Sequence, residues 1–141
     1  MKWQGQVLRG APVPTAYLPE SRTLAVGAEE LRVVSDDATD ARAVTPDGQA
    51  FRLIKRSTTV ARYEAVCGGR RYSARRTGGG FRSKRREITD ERGRLVAATR
   101  GLPNGDLELE ISGGSANFTV DLAFISWGLL LVDAPVRRTL H

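Results

Sequence analysis

VDLAFISWGLLLV, Val120 to Val132, is the stretch that decides the fold of this chain. Gly128 is its one turn-favouring residue. Thr119 offers a side-chain oxygen for an N-cap, Asp121 puts negative charge in the first turn and Pro135 follows the end, so the run predicts a helix over about 120–132. Thirteen residues rise only ~20 Å, short of the ~30 Å hydrocarbon layer of a bilayer, so this helix does not cross a membrane. Apolar residues cover nearly all its sides, and such a helix requires burial all round. A central β-strand is the competing reading, and the length of the run argues against it.

The segments before it read as β. Turn signals stand at Pro46-Asp47-Gly48, Gly68-Gly69, Gly78-Gly79-Gly80, Asp90-Glu91-Arg92-Gly93, Pro103-Asn104-Gly105 and Gly113-Gly114. From the second onward they recur roughly every nine to thirteen residues, which suits short strands and leaves little room for helices. In DLELEIS, Leu107, Leu109 and Ile111 alternate with Asp106, Glu108 and Glu110, the pattern of a half-buried strand. QAFRLIKR alternates in the same way. TTVARYEAVC, RRYSARR, FRSKRREIT, RLVAATR, KWQGQVLR, TLAV, ELRVV and ARAVT complete a set of about ten strands. Ala11 to Ser21, with Pro12, Pro14 and Pro19, reads as the longest irregular connection. With strands the only partners for the helix, the expected fold is mostly β: about ten or more antiparallel strands curled into a barrel around a buried C-terminal helix. No linker or repeat divides residues 1–141, a length that buries roughly 70% of the unfolded surface in one domain.

REITDERGRLVAATRG, Arg86 to Gly101, with its strand, Asp-x-x-Gly turn, strand order, together with the closing apolar run, resembles the tubby C-terminal-like superfamily, which includes the LURP-one-related proteins and the phospholipid scramblases. The chain looks like a small bacterial-type member. The resemblance implies a closed barrel threaded by a hydrophobic C-terminal helix. It also implies an anion-facing role, because tubby domains bind phosphoinositide headgroups through basic side chains and scramblase-like members associate with membranes. No tubby phosphoinositide motif is matched here, no cysteine cluster for palmitoylation is present, and no individual functional residue carries over.

The charge is concentrated. Net charge is +6, from 22 basic and 16 acidic residues, and Arg70 to Arg86 alone holds eight basic residues and no acid, so the remainder carries 14 against 16. If Gly78-Gly79-Gly80 turns a hairpin, alternation puts Arg82, Lys84 and Arg86 on one face of the second arm and Arg71, Ser73 and Arg75 on one face of the first. Should those faces coincide, Arg71, Arg75, Arg82, Lys84 and Arg86 form one anion-binding patch; the register is left open. On that reading, exchanging Arg82, Lys84 and Arg86 for Glu abolishes anion binding and spares the fold. Three functions compete: a module for anionic lipid headgroups or another polyanion, a nucleic-acid-binding protein using Tyr72 and Phe81 for stacking, or a solvated hairpin on a structural or protein-interaction domain.

Catalytic chemistry has little to stand on. The one histidine is His141, the last residue, and Cys67 reads as a small core residue. Asp36-Asp37-Asp40 and Asp90-Glu91 lack calcium-loop spacing and suit turns, and the glycine triplet lacks the GxxxxGK[ST] of a phosphate loop. Trp3 and Trp127 read as core. A non-enzymatic protein without cofactor or metal is expected. The single cysteine excludes an internal disulfide, and MKWQGQVLRG lacks an apolar signal region, which points to a cytoplasmic protein, peripheral at a membrane where the family resemblance holds.

Overall fold

Each strand pairs antiparallel with its neighbour in sequence, and the last returns to the first. In the computed structural model, which describes residues 1–78, 84–112 and 117–134, the strands are β1 (Lys2–Gln4), β2 (Val7–Arg9), β3 (Thr15–Leu18), β4 (Thr23–Val26), β5 (Glu29–Asp37), β6 (Asp40–Val44), β7 (Ala50–Lys55), β8 (Arg62–Cys67), β9 (Arg70–Thr77), β10 (Arg85–Asp90), β11 (Leu95–Gly101) and β12 (Leu107–Ile111). They form a closed barrel. Its closing seam pairs Lys2 with Glu108 and Trp3 with Leu107. The expected barrel is present, with two more strands than the ten read from sequence. KWQGQVLR divides into β1 and β2 at a turn where Gly5 takes φ 60°, a conformation open to glycine. The proline-rich connection contains β3, which meets β2 at the single pair Val7 and Ala16.

Alternation sets what faces inward. Leu24, Leu31, Val33, Phe51, Leu53, Tyr63, Ile88, Leu107 and Leu109 are buried, and residues between them on the same strands face out. A closed wall of this kind encloses a volume that something must fill. The filling is α1 (Val120–Asp133), capped by Thr119, whose Oγ1 accepts from the Leu122 amide. Residues Asp121 to Leu129, Leu131 and Asp133 are all buried. Phe124 meets the Phe51 ring edge-on at 5.6 Å between centroids and lies 6.1 Å from Trp127, an arrangement rings prefer to a face-to-face stack. The Trp3 indole donates to Ser126 Oγ at 2.9 Å, so the one polar atom of each side chain satisfies the other inside the core. At Gly128 a β-carbon would lie 2.6 Å from Leu53 Cδ2, so the glycine in mid-helix leaves room for the Leu53 side chain of β7 in its present position. Among the described residues no helix is long and apolar enough to cross a membrane.

Candidate anion-binding surface

The register of β9 and β10 decides which arginines face solvent. Arg86 stands opposite Arg76, Glu87 opposite Arg75 and Ile88 opposite Ala74. Tyr72, Ala74 and Arg76 therefore share the inner face with Arg86 and Ile88, while Arg71, Ser73 and Arg75 lie outside. Arg86 thus does not share a face with Arg71 and Arg75.

Arg86 is fully buried, which corrects the sequence expectation that places it in an anion-binding patch. Its Nε lies 2.6 Å from Asp133 Oδ2 and its Nη2 3.0 Å from Oδ1. Nη2 also donates to the Val60 carbonyl at 2.6 Å, and the guanidinium carbon sits 5.2 Å from the centre of the Tyr63 ring. Arg76 Nη2 adds a second donor to Asp133 at 3.0 Å. The physical reason is the helix end. A carboxylate in the last turn faces the negative end of the helix dipole, and burial raises its cost further, so Asp133 is tolerated only with cations brought to it.

The other helix end is held similarly. Arg70 reaches Asp121 with Nε at 2.6 Å and Nη2 at 2.8 Å, and the Tyr72 hydroxyl donates to the same carboxylate at 2.6 Å. Burial and then this bond to Asp121 push the Tyr72 hydroxyl above its ordinary pKa, while the bond to Asp121 raises Arg70. Tyr72 is thus tied to the helix through its hydroxyl, and its half-buried ring lies on the inner face of β9. Of the eight basic residues in 70–86, three serve the helix. Arg82 lies outside the described residues, as does Phe81. Lys84 is half-buried just before β10.

Arg71 and Arg75 remain outside and exposed. The neighbouring β8 supplies a residue that the hairpin alone does not show: Arg62, exposed and directly opposite Arg75. A sequence signal for it exists. Gly68 and Gly69 both take positive φ (58° and 96°), the two-residue hairpin turn that sets Cys67 against Arg70 and hence Arg62 against Arg75. Six other outward arginines are matched to carboxylates, Arg42 and Arg52 to Asp40, Arg56 to Glu64, Arg85 to Glu87, Arg94 to Asp90 and Arg100 to Glu108, whereas Arg9, Arg22, Arg32 and Arg92 are exposed elsewhere on the barrel without such an ion pair among the described residues. Arg62, Arg71 and Arg75 have no carboxylate partner among the described residues.

The acidic clusters form turns and the cysteine lies in the core. Asp37 Oδ1 accepts from the Thr39 amide and hydroxyl, which closes the β5–β6 turn and lowers the Asp37 pKa. Asp90 likewise accepts from the Arg92 and Arg94 amides. A cleft of about 350 Å³ opens beside the helix start, walled by Tyr72, Asp90, Arg94, Leu95, Thr119 and Leu122 among others. Among the described residues no group of three or more His, Cys, Asp or Glu side chains is placed to hold a metal. Cys67 is fully buried, and burial pushes its thiol well above the ordinary range, with the Asp121 carboxylate adding to the shift. Native protein is therefore expected to resist a thiol-reactive dye at neutral pH and to titrate one thiol in denaturant; rapid labelling without denaturant would show the barrel opening at β8.

No protein-family model, curated protein or solved structure matches the chain.

Proposed function

We propose that this protein is a non-enzymatic module of tubby-like architecture that binds anionic lipid headgroups at the cytoplasmic face of a membrane through the outer wall of β8 to β10. One observation carries the reading. Arg62 and Arg75 stand directly opposite each other across a strand ladder, exposed and without carboxylate partners among the described residues, with Arg71 on the same face. Like charges so placed repel and destabilise the sheet, a cost that an anion between them removes. The excess survives the internal pairing. The two helix clusters take three arginines and two aspartates, so the rest of the chain keeps five of the six net positive charges. An acidic leaflet offers each such side chain about 1 kcal/mol. Nucleic acid is the weaker reading because Tyr72, one of its two stacking candidates, is bonded to Asp121 inside.

The test is flotation with phosphatidylcholine vesicles, with and without phosphatidylglycerol, in the presence and absence of competitor DNA. Binding to the anionic vesicles alone is expected, and to persist with DNA present. Arg62→Glu combined with Arg75→Glu should weaken it more than tenfold, since roughly 2 kcal/mol of attraction is lost and repulsion added. The exchange sets acids opposite each other and opposite Glu87, so a small fall in melting temperature is expected, and Arg62→Gln combined with Arg75→Gln, which adds no facing acid, should lose binding at an unchanged melting temperature. Undiminished flotation of either double variant would refute the proposal, and release by DNA would redirect it to nucleic acid.

A further inference from the structure

We infer that the barrel meets the bilayer on one rim, with Val60 entering the interfacial layer beside Arg62; the inference rests on the anionic-surface reading above. Val60 lies in the loop joining β7 to β8 and is 39% exposed. Val7 beside Arg9 and Val34 beside Arg32 have the same spacing but sit within strands; of the three, Val60 alone stands in a loop, next to an arginine that faces another arginine across the ladder. An apolar side chain beside cations is the combination that an interfacial surface recognises, because the headgroup layer takes the charge and the acyl boundary takes the methyl groups.

The loop is also held ready. The Val60 carbonyl accepts from Arg86 Nη2 at 2.6 Å, and Arg86 is locked to Asp133 at the end of the helix. Ser57 Oγ accepts from the Arg62 amide and donates to the Thr59 carbonyl, which closes the loop on itself. Presenting Val60 thus requires no ordering on contact, which would otherwise weaken binding. The same rim carries Asp36 and Asp37 at the β5–β6 turn, bridged to β8 where the Tyr63 hydroxyl donates to the Ala38 carbonyl at 2.7 Å. An anionic leaflet repels that side. The barrel therefore tilts onto β8 to β10, bringing Arg62, Arg75 and Val60 to the surface together.

Val60→Trp provides the readout, because the native Trp3 and Trp127 are 0% and 2% exposed and give a constant background. With phosphatidylglycerol-containing vesicles the added indole should emit at shorter wavelength and be quenched by brominated acyl chains; with phosphatidylcholine alone it should do neither. Val60→Asp should weaken vesicle binding roughly tenfold at an unchanged melting temperature, as expected for one lost apolar contact. The inference is overturned if Val60→Trp floats with anionic vesicles while its emission stays unshifted and unquenched, or if Val60→Asp binds as the unaltered protein does. Failure of the broader reading looks different: the variant with Arg62→Glu and Arg75→Glu would float undiminished, or the unaltered protein would not float at all.

Discussion

Arg86→Met is expected to destabilise the fold by about 3–5 kcal/mol, read as a fall in the urea midpoint followed by circular dichroism. The substitution leaves Asp133 buried with one cation in place of two and strips the Val60 carbonyl of its donor. Asp133→Asn should cost a similar amount from the other side, stranding two guanidinium groups. The combined Arg86→Met and Asp133→Leu variant should lose less than the sum of the single changes, because neither partner is then abandoned, though Arg76 keeps it below the unaltered protein. Arg71→Ala and Arg75→Ala, on the outer face of the same strand, should stay within about 0.5 kcal/mol. The triple exchange of Arg82, Lys84 and Arg86 for Glu, harmless to the fold if all three faced solvent, is now expected to unfold the protein, since it sets a glutamate against Asp133 in the core. A folded triple variant would show that the buried pair is dispensable.

Phe124→Ala should cost about 3–5 kcal/mol, at the upper end for such truncations. Cavities cost least where neighbours can collapse into them. Here the neighbours are the strands of a closed, hydrogen-bonded wall on one side and a helix tied at both ends on the other, so the space left beside Phe51 and Trp127 stays open. An apolar cavity of that kind remains dry and accepts a small aromatic. Benzene should therefore raise the melting temperature of the variant and not that of the unaltered protein. Absence of that rescue would mean that the barrel closes around the gap.

Local signals made the architecture legible. The apolar run at 120–132 has no polar face to leave outside, and the strict alternation of Leu107, Glu108, Leu109 and Glu110 announces a one-sided strand whatever it packs against. β3 escaped because Pro14 and Pro19 bracket its four residues and its ladder to β2 is a single pair, leaving almost no pattern to read. The candidate surface was half legible. Alternation grouped Arg71, Ser73 and Arg75 on one face of β9, as the structure has them, but which group turns inward depends on Asp133, 47 positions from Arg86, and no periodicity carries that information. Arg62 was reachable through the Gly68-Gly69 turn, which fixes the register by geometry rather than by composition.

The barrel wall has one seam that joins strands distant in the chain, β1 to β12, and the helix that fills it follows β12. A nascent chain therefore displays an apolar inner wall before its plug exists, for the second or several seconds that a ribosome needs to travel from Ile111 to Asp133. In that interval the arginines of β9 and β10 have neither Asp121 nor Asp133 to meet. Charged side chains on an open sheet oppose association between chains, so Arg70, Arg76 and Arg86 are expected to protect the unfilled wall before they lock the plug.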